Sequence, residues 1–154
     1  MTELERKRLE WEAFRLEPKT NPLVYGHPEM YGEVLLENTL CFFLADPYEI
    51  RGSGMILPKA RRETVFDLTR DEWNSTFELL LEVKTLLDRN LEPDGYNIGW
   101  NVGPVGGGHV PQAHLHVIPR FADEPFAGQG IRWWFKRAEN TRVVNARVIA
   151  DPEI

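Results

Sequence analysis

Hydrophobic positions recur along this chain with two periods, and the switches between them mark out its elements. Residues 2-TELERKRLEWEAFRL-16 carry Leu4, Trp11 and Phe14 as a narrow apolar stripe at helical spacing. Thr2 with Glu5 has the form of a capping box, each side chain satisfying the other's backbone N–H. So thin a stripe predicts a helix that leans on the body of the protein or on a second subunit. Pro18, Pro22, Gly26 and Pro28 predict an irregular connection. Two β-like runs follow, 33-EVLLEN-38 and 39-TLCFFLA-45, with a turn at Glu37-Asn38 and a stop at Asp46-Pro47. A third, 53-SGMILPK-59, is stopped by Pro58.

The strongest helical pattern starts at Thr69, where Thr69-Arg70-Asp71-Glu72 repeats the capping-box form. Trp73, Phe77, Leu80, Val83 and Leu87 then recur at helical spacing until Pro93-Asp94-Gly95. Beyond it the period shortens to two. The run 96-YNIGWNV-102 puts Tyr96, Ile98, Trp100 and Val102 on one face and Asn97, Gly99 and Asn101 on the other. After the glycine-rich 103-GPVGGG-108, the run 112-QAHLHVIPR-120 alternates again, with Ala113, Leu115 and Val117 inward. Gly128 and Gly130 flank a turn, 131-IRWWFKRAENTR-142 reads as a short helix and 143-VVNARVIA-150 as a terminal strand. Strands grouped around one long helix predict an α+β fold, an antiparallel sheet of about five strands with one long helix and additional short helices.

Length and charge narrow the classes. A chain of 154 residues has the length of one domain with a real core. A net charge of −6 argues against a nucleic-acid binder, which needs a basic surface to displace counterions, but leaves room for a local anion cradle. The single cysteine, Cys41, excludes an internal disulfide and a cysteine-cluster zinc site; it sits in an apolar run as a buried thiol. No apolar run reaches the length of a membrane span and the N-terminus has no signal-peptide core, so a cytoplasmic protein without a membrane partner is expected. Five Trp and eight Phe are generous for this size, and some are expected to line a pocket or a subunit contact.

The chemistry concentrates in 109-HVPQAHLHVIPR-120. On a strand, Gln112, His114 and His116 project from one side, and Asn101 and Asn97 join that face if the preceding strand pairs with this one. Two imidazoles and several amides beside a triple-glycine loop pack poorly and suit a phosphate. A neutral imidazole is a nucleophile near neutral pH when its other nitrogen is held by an acceptor. Backbone N–H groups of Gly106, Gly107 and Gly108, with His116, would stabilise the charge that develops on the phosphoryl oxygens. Two other readings stand beside this one. Histidines on a wet strand face can be idle, and a His-x-His pair with His109 or His27 is also zinc spacing, although no well-placed Asp or Glu completes that set.

Gln112-Ala113-His114-Leu115-His116-Val117-Ile118 resembles the motif of the histidine-triad (HIT) family, His-φ-His-φ-His-φ-φ with φ apolar, on a strand after a glycine-rich turn. The resemblance extends through 94-DGYNIGWNVG-103, the helix after 66-FDLTRDE-72, and 52-GSGMILPK-59. It covers roughly residues 30–120, between the N-terminal helix 2–16 and a C-terminal extension 121–154, and implies one HIT-like domain over 1–154. By this resemblance the chain is a homodimeric nucleotidyl hydrolase or transferase acting on a purine nucleotide. His114 is then the nucleophile that forms a nucleotidyl-histidine, while His116 and Asn101 contact phosphate. The phosphoramidase branch has a serine at the position of His109, where an imidazole could itself donate the proton. No cofactor is required, though magnesium accompanies a polyphosphate substrate.

Three departures stand out. Gln112 replaces the first triad histidine and can orient a neighbour but not carry a proton. Gly52-Ser53 replaces the usual Gly-His, and Ser53 and Gln112 are read as replacement partners in one small network. A gapless alignment from Leu57-Pro58-Lys59 puts Ala45 where the family holds the ribose hydroxyls with an acid, so Asp46, one residue along, is assigned that role. Phe42, Phe43 and Leu44 fit a base-stacking wall or strand core equally well, with Phe43 taken as a substrate contact. Trp133 and Trp134 fit either a partner's pocket or dimer packing. The rival function is a nucleotide-binding or scaffolding protein with negligible turnover.

Overall fold

Both capping boxes form. Thr2 caps α1 (Glu3–Leu16) and Thr69 caps α2 (Arg70–Leu91), each hydroxyl accepting the N–H of the residue three on. The computed structural model describes residues 1–46 and 50–140. Its strands are β1 (Glu33–Glu37), β2 (Cys41–Ala45), β3 (Gly54–Pro58), β4 (Gly95–Trp100) and β5 (Leu115–Arg120). Asn38 closes the β1–β2 hairpin, its Oδ1 accepting from the N–H groups of Leu40 and Cys41. Among the described residues these five strands make one α+β sheet in the order β1-β2-β3-β5-β4, every neighbouring pair antiparallel. β5 lies inside the sheet, between β3 and the edge strand β4. None of the described helices is long and apolar enough to cross a membrane.

One face of the sheet packs on α2. Leu79, Val83 and Leu87 of the helix meet Cys41, Phe43, Ile56, Leu115 and Val117. Burial pushes the Cys41 thiol above its ordinary pKa, as a structural cysteine requires. The buried Glu72 serves as both the α2 cap partner and the acceptor of the Arg62 guanidinium at 2.9 and 3.0 Å. Burial alone would raise its carboxyl, but the bonds from Arg62 and Thr69 outweigh that and hold it below the usual carboxylate range. On the opposite face Phe42, Leu44, Met55 and Leu57 pack with Leu23 from the connection after α1.

Several expected boundaries move. The buried stripe of α2 is Thr76, Leu79, Val83 and Leu87, while Trp73 and Phe77, at equally helical spacing, stand 51% and 58% exposed beside it. β4 ends at Trp100 and β5 begins only at Leu115, so Gln112 and His114 precede the strand instead of riding on it. Of the helix expected over 131–142, the described residues 131–140 form one 3-10 turn, Trp134–Lys136, with no side-chain cap. The terminal strand expected over 143–150 lies outside the described residues.

Candidate active site

A cavity of about 560 Å³ opens on the sheet face away from α2, within the size range of small-molecule sites. β5 alternation places His116 and Ile118 toward it, since Leu115 and Val117 belong to the α2 core. Met55 and Ser53 line its floor, Leu23 and Val110 add apolar wall, and Asp46 stands at the end of β2.

His114 is 8% exposed and lines the same cavity. Its Nδ1 lies 2.7 Å from the backbone carbonyl oxygen of Gln112. A carbonyl only accepts, so Nδ1 carries the proton and Nε2 keeps its lone pair. Burial disfavours the charged ring and outweighs the carbonyl's pull, holding the His114 pKa below its ordinary value. His116 packs edge-on against it, ring centroids 4.8 Å apart, and burial together with the neighbouring histidines pushes its pKa down to about 4. Both rings are therefore neutral at pH 7. The stability this contributes is full above about pH 6.5 and is lost progressively as the pH falls toward 4, because the unfolded chain binds those protons first. The Asn101 amide nitrogen reaches His116 Nε2 at 3.4 Å.

Four sequence expectations need correction. Gln112 orients His114, but through its backbone. Its side chain is 2% exposed and turned away, Nε2 donating to the carbonyls of Pro58 and Ala60, with Oε1 buried and unbonded among the described residues. The network expected between Gln112 and Ser53 does not form through that amide. The glycine loop is not an open cradle either. Gly107 and Gly108 donate their N–H groups back to Pro104 and Gly103, closing the turn, and of Gly106, Gly107 and Gly108 only Gly107 lines the cavity. Gly107 sits at φ +96°, a conformation glycine alone adopts without strain, beside the Asn101 amide. Finally, Phe43 is 1% exposed among the α2-facing residues, so it is core and not a base contact.

His109 and Asp46 do line the cavity. The His109 Nδ1 lies 3.5 Å from Glu10 Oε2 of α1, and the Asp46 N–H donates to the Ser53 carbonyl. His27 instead accepts the N–H of Glu29 through Nδ1 and is not among the lining residues. Among the described residues no group of three His, Cys, Asp or Glu is placed to hold a metal. Trp133 and Trp134 pack edge-on at 4.5 Å with Arg137 over both rings. Sequence reasoning missed Lys7, which lines the cavity and donates to the Gly107 carbonyl at 3.3 Å. Its signal was available, because positions 7, 11 and 14 share one face of α1.

The HIT domain matches residues 27–123 of this chain, from ahead of β1 to just past β5. The chain belongs to the HIT family. A HIT-like protein of Methanocaldococcus jannaschii, described as uncharacterised, is 32% identical over 85 residues, 55% of this chain and 64% of that protein. The asymmetrical bis(5'-nucleosyl)-tetraphosphatase of Schizosaccharomyces pombe is 29% identical over 69 residues, 45% of this chain and 38% of that protein. The matches thus span less than two thirds of either relative. The crystal structure of a HIT family protein from Bacillus anthracis superposes with a TM-score of 0.61 at 23% identity, covering 75% of this chain and 79% of that one, which establishes a shared fold. Helix α1, with Lys7, Glu10 and Trp11, lies ahead of the matched HIT residues.

Proposed function

We propose that this HIT protein is a nucleotidyl hydrolase or transferase that cleaves a P–N or P–O–P bond of a purine nucleotide through a nucleotidyl-histidine at residue 114. The observation that carries this reading is the 2.7 Å bond from His114 Nδ1 to the Gln112 carbonyl, which leaves the Nε2 lone pair on a neutral, cavity-lining ring. Nε2 attacks the α-phosphorus, and the bond to the leaving group breaks with its electron pair going to the departing atom. His109 gives a proton to a departing amine and takes one from the water that then cleaves the Nε2–P bond and restores His114. The Gln112 carbonyl dipole stabilises the positive ring of the adduct. Gln112 occupies the first triad position, Asp46 holds the ribose, and Asn101 with His116 binds phosphate. The imidazole supplies the nucleophile without a resident metal, and magnesium enters only as counter-ion of a polyphosphate. The tetraphosphatase activity of the S. pombe relative supports a nucleotide substrate.

Incubation with adenosine 5'-phosphoramidate and with diadenosine tetraphosphate is expected to release AMP from at least one. A protein that binds AMP yet consumes neither is the nucleotide binder instead, the reading favoured by a glutamine at position 112 that cannot carry a proton. Acidification gives a second check. With His116 titrating near 4 and His114 held below its ordinary value, the acid limb of kcat/KM on diadenosine tetraphosphate, whose leaving group needs no proton, is expected to lie below the ordinary histidine value. An acid limb at the ordinary histidine value would contradict the neutral-ring argument.

A homodimer completes the reading. β4 ends the sheet among the described residues, Ile98 on it is exposed, and Trp73, Phe77 and Leu81 form an exposed apolar stripe on α2, Trp73 stacking on Trp100 at 6.2 Å. Phe77→Asp is expected to convert a dimer to a monomer in sedimentation experiments; a monomeric wild type would remove the proposal.

A further inference from the structure

Helix α1 enters the cavity wall from outside the HIT match, and its inner face is organised around the loop ahead of His114. Trp11 is buried over Gly108, where an added Cβ would come within 3.0 Å of the indole. Glu10 reaches His109 at 3.5 Å, and Lys7 lies 3.3 Å from the Gly107 carbonyl oxygen and 3.7 Å from Glu3 Oε1. Residues 7, 10 and 11 share one helical face, so the anchored indole fixes where the ammonium stands. Among the described residues that line the cavity, Lys7 is the one Lys or Arg. The two triad histidines beside it are neutral, and Asp46 adds negative charge, so among the described lining residues Lys7 is the permanent cation that an anionic substrate meets.

We propose that α1 makes this protein selective for substrates whose leaving group is itself a phosphate or polyphosphate, with Lys7 as the contact for that leaving group. The inference rests on nucleotidyl transfer at His114 and goes beyond it in naming the bond. When a phosphoanhydride is cleaved, the P–O bond breaks and its electron pair goes to the bridging oxygen of the departing phosphate. An ammonium nearby stabilises that charge without any proton transfer. A departing amine offers no such charge and needs a proton instead. The Lys7 ammonium now donates to a neutral carbonyl, and it has three donors, so a phosphate oxygen can be added without dismantling the loop.

The test compares wild type, Lys7→Met and Lys7→Arg on diadenosine tetraphosphate and adenosine 5'-phosphoramidate, with calorimetric affinities for AMP, ADP and ATP. In Lys7→Met the ratio of kcat/KM on the tetraphosphate to that on the phosphoramidate is expected to fall about 10- to 100-fold, the range of a lost charge-assisted bond. The gain in affinity from AMP to ATP shrinks with it, and Lys7→Arg restores most of both. A parallel loss on both substrates, or an unchanged ratio, overturns the role of Lys7 while leaving nucleotidyl transfer standing. A Lys7-dependent gain in ATP affinity without turnover upholds Lys7 and overturns the enzyme reading. A wild type that turns over neither substrate and binds ATP no more tightly than AMP overturns both.

Discussion

His114→Ala is expected to lower kcat for nucleotidyl transfer by about 10⁴-fold or more, the scale seen when a covalent nucleophile is removed. Among the described residues no other ring lining the cavity has the same arrangement. His116 meets an amide through Nε2, and the His109 Nδ1 faces the Glu10 carboxylate. The alanine variant also leaves the buried Gln112 carbonyl without its donor, which costs about 1–3 kcal/mol of stability. His114→Asn separates the two effects, because its amide can still donate to that carbonyl but offers phosphorus no nucleophile. Circular dichroism and steady-state assays on both variants check this: a folded His114→Asn protein is expected to be as inactive as His114→Ala. Substantial turnover by either would place the nucleophile elsewhere.

Phe43→Ala carries the second large effect, and it falls on stability. The ring is fully enclosed between β2 and α2, with Ile56, Leu79 and Val117 in the same cluster, and Gly54 is where a Cβ would come 2.5 Å from it. Truncation leaves a cavity that the tight sheet–helix packing cannot close, costing about 3–5 kcal/mol. In a chain of this length that lowers Tm by roughly 6–20 °C. Thermal unfolding followed by circular dichroism reads the shift. AMP affinity measured well below the transition is expected to stay close to wild type, because the ring faces away from the cavity. A lost AMP site with an unaltered Tm would return Phe43 to the substrate.

The contrast at Phe43 shows what the sequence made legible. Capping boxes at Thr2 and Thr69 involve residues three apart, so both helix starts were visible in the chain itself. The period-2 runs located β4 and β5 and gave the sense of His116 against Val117, because one face is polar. β2 offered no such contrast. Cys41 to Leu44 are buried on both faces, so alternation could not say which phenylalanine meets α2 and which meets Leu23. On α2, Trp73–Phe77 and Leu79–Val83–Leu87 are adjacent stripes of one 3.6 period, and only the sheet chooses between them. The Gln112 carbonyl bond was hidden because the alternating run starts at Gln112, three residues ahead of the strand itself. For Lys7, the shared face with Trp11 and Phe14 was legible, but its partner Gly107 was not, lying 100 residues along the chain.

The most direct measurement is the site of the covalent intermediate. Protein quenched in alkali during turnover of diadenosine tetraphosphate, where a phosphorus–nitrogen bond to histidine survives, can be digested and mapped by mass spectrometry. One AMP on the residue 114 imidazole is the expected result. An adduct on His109 or His116, or substrate consumed with no adduct on any histidine, would contradict it.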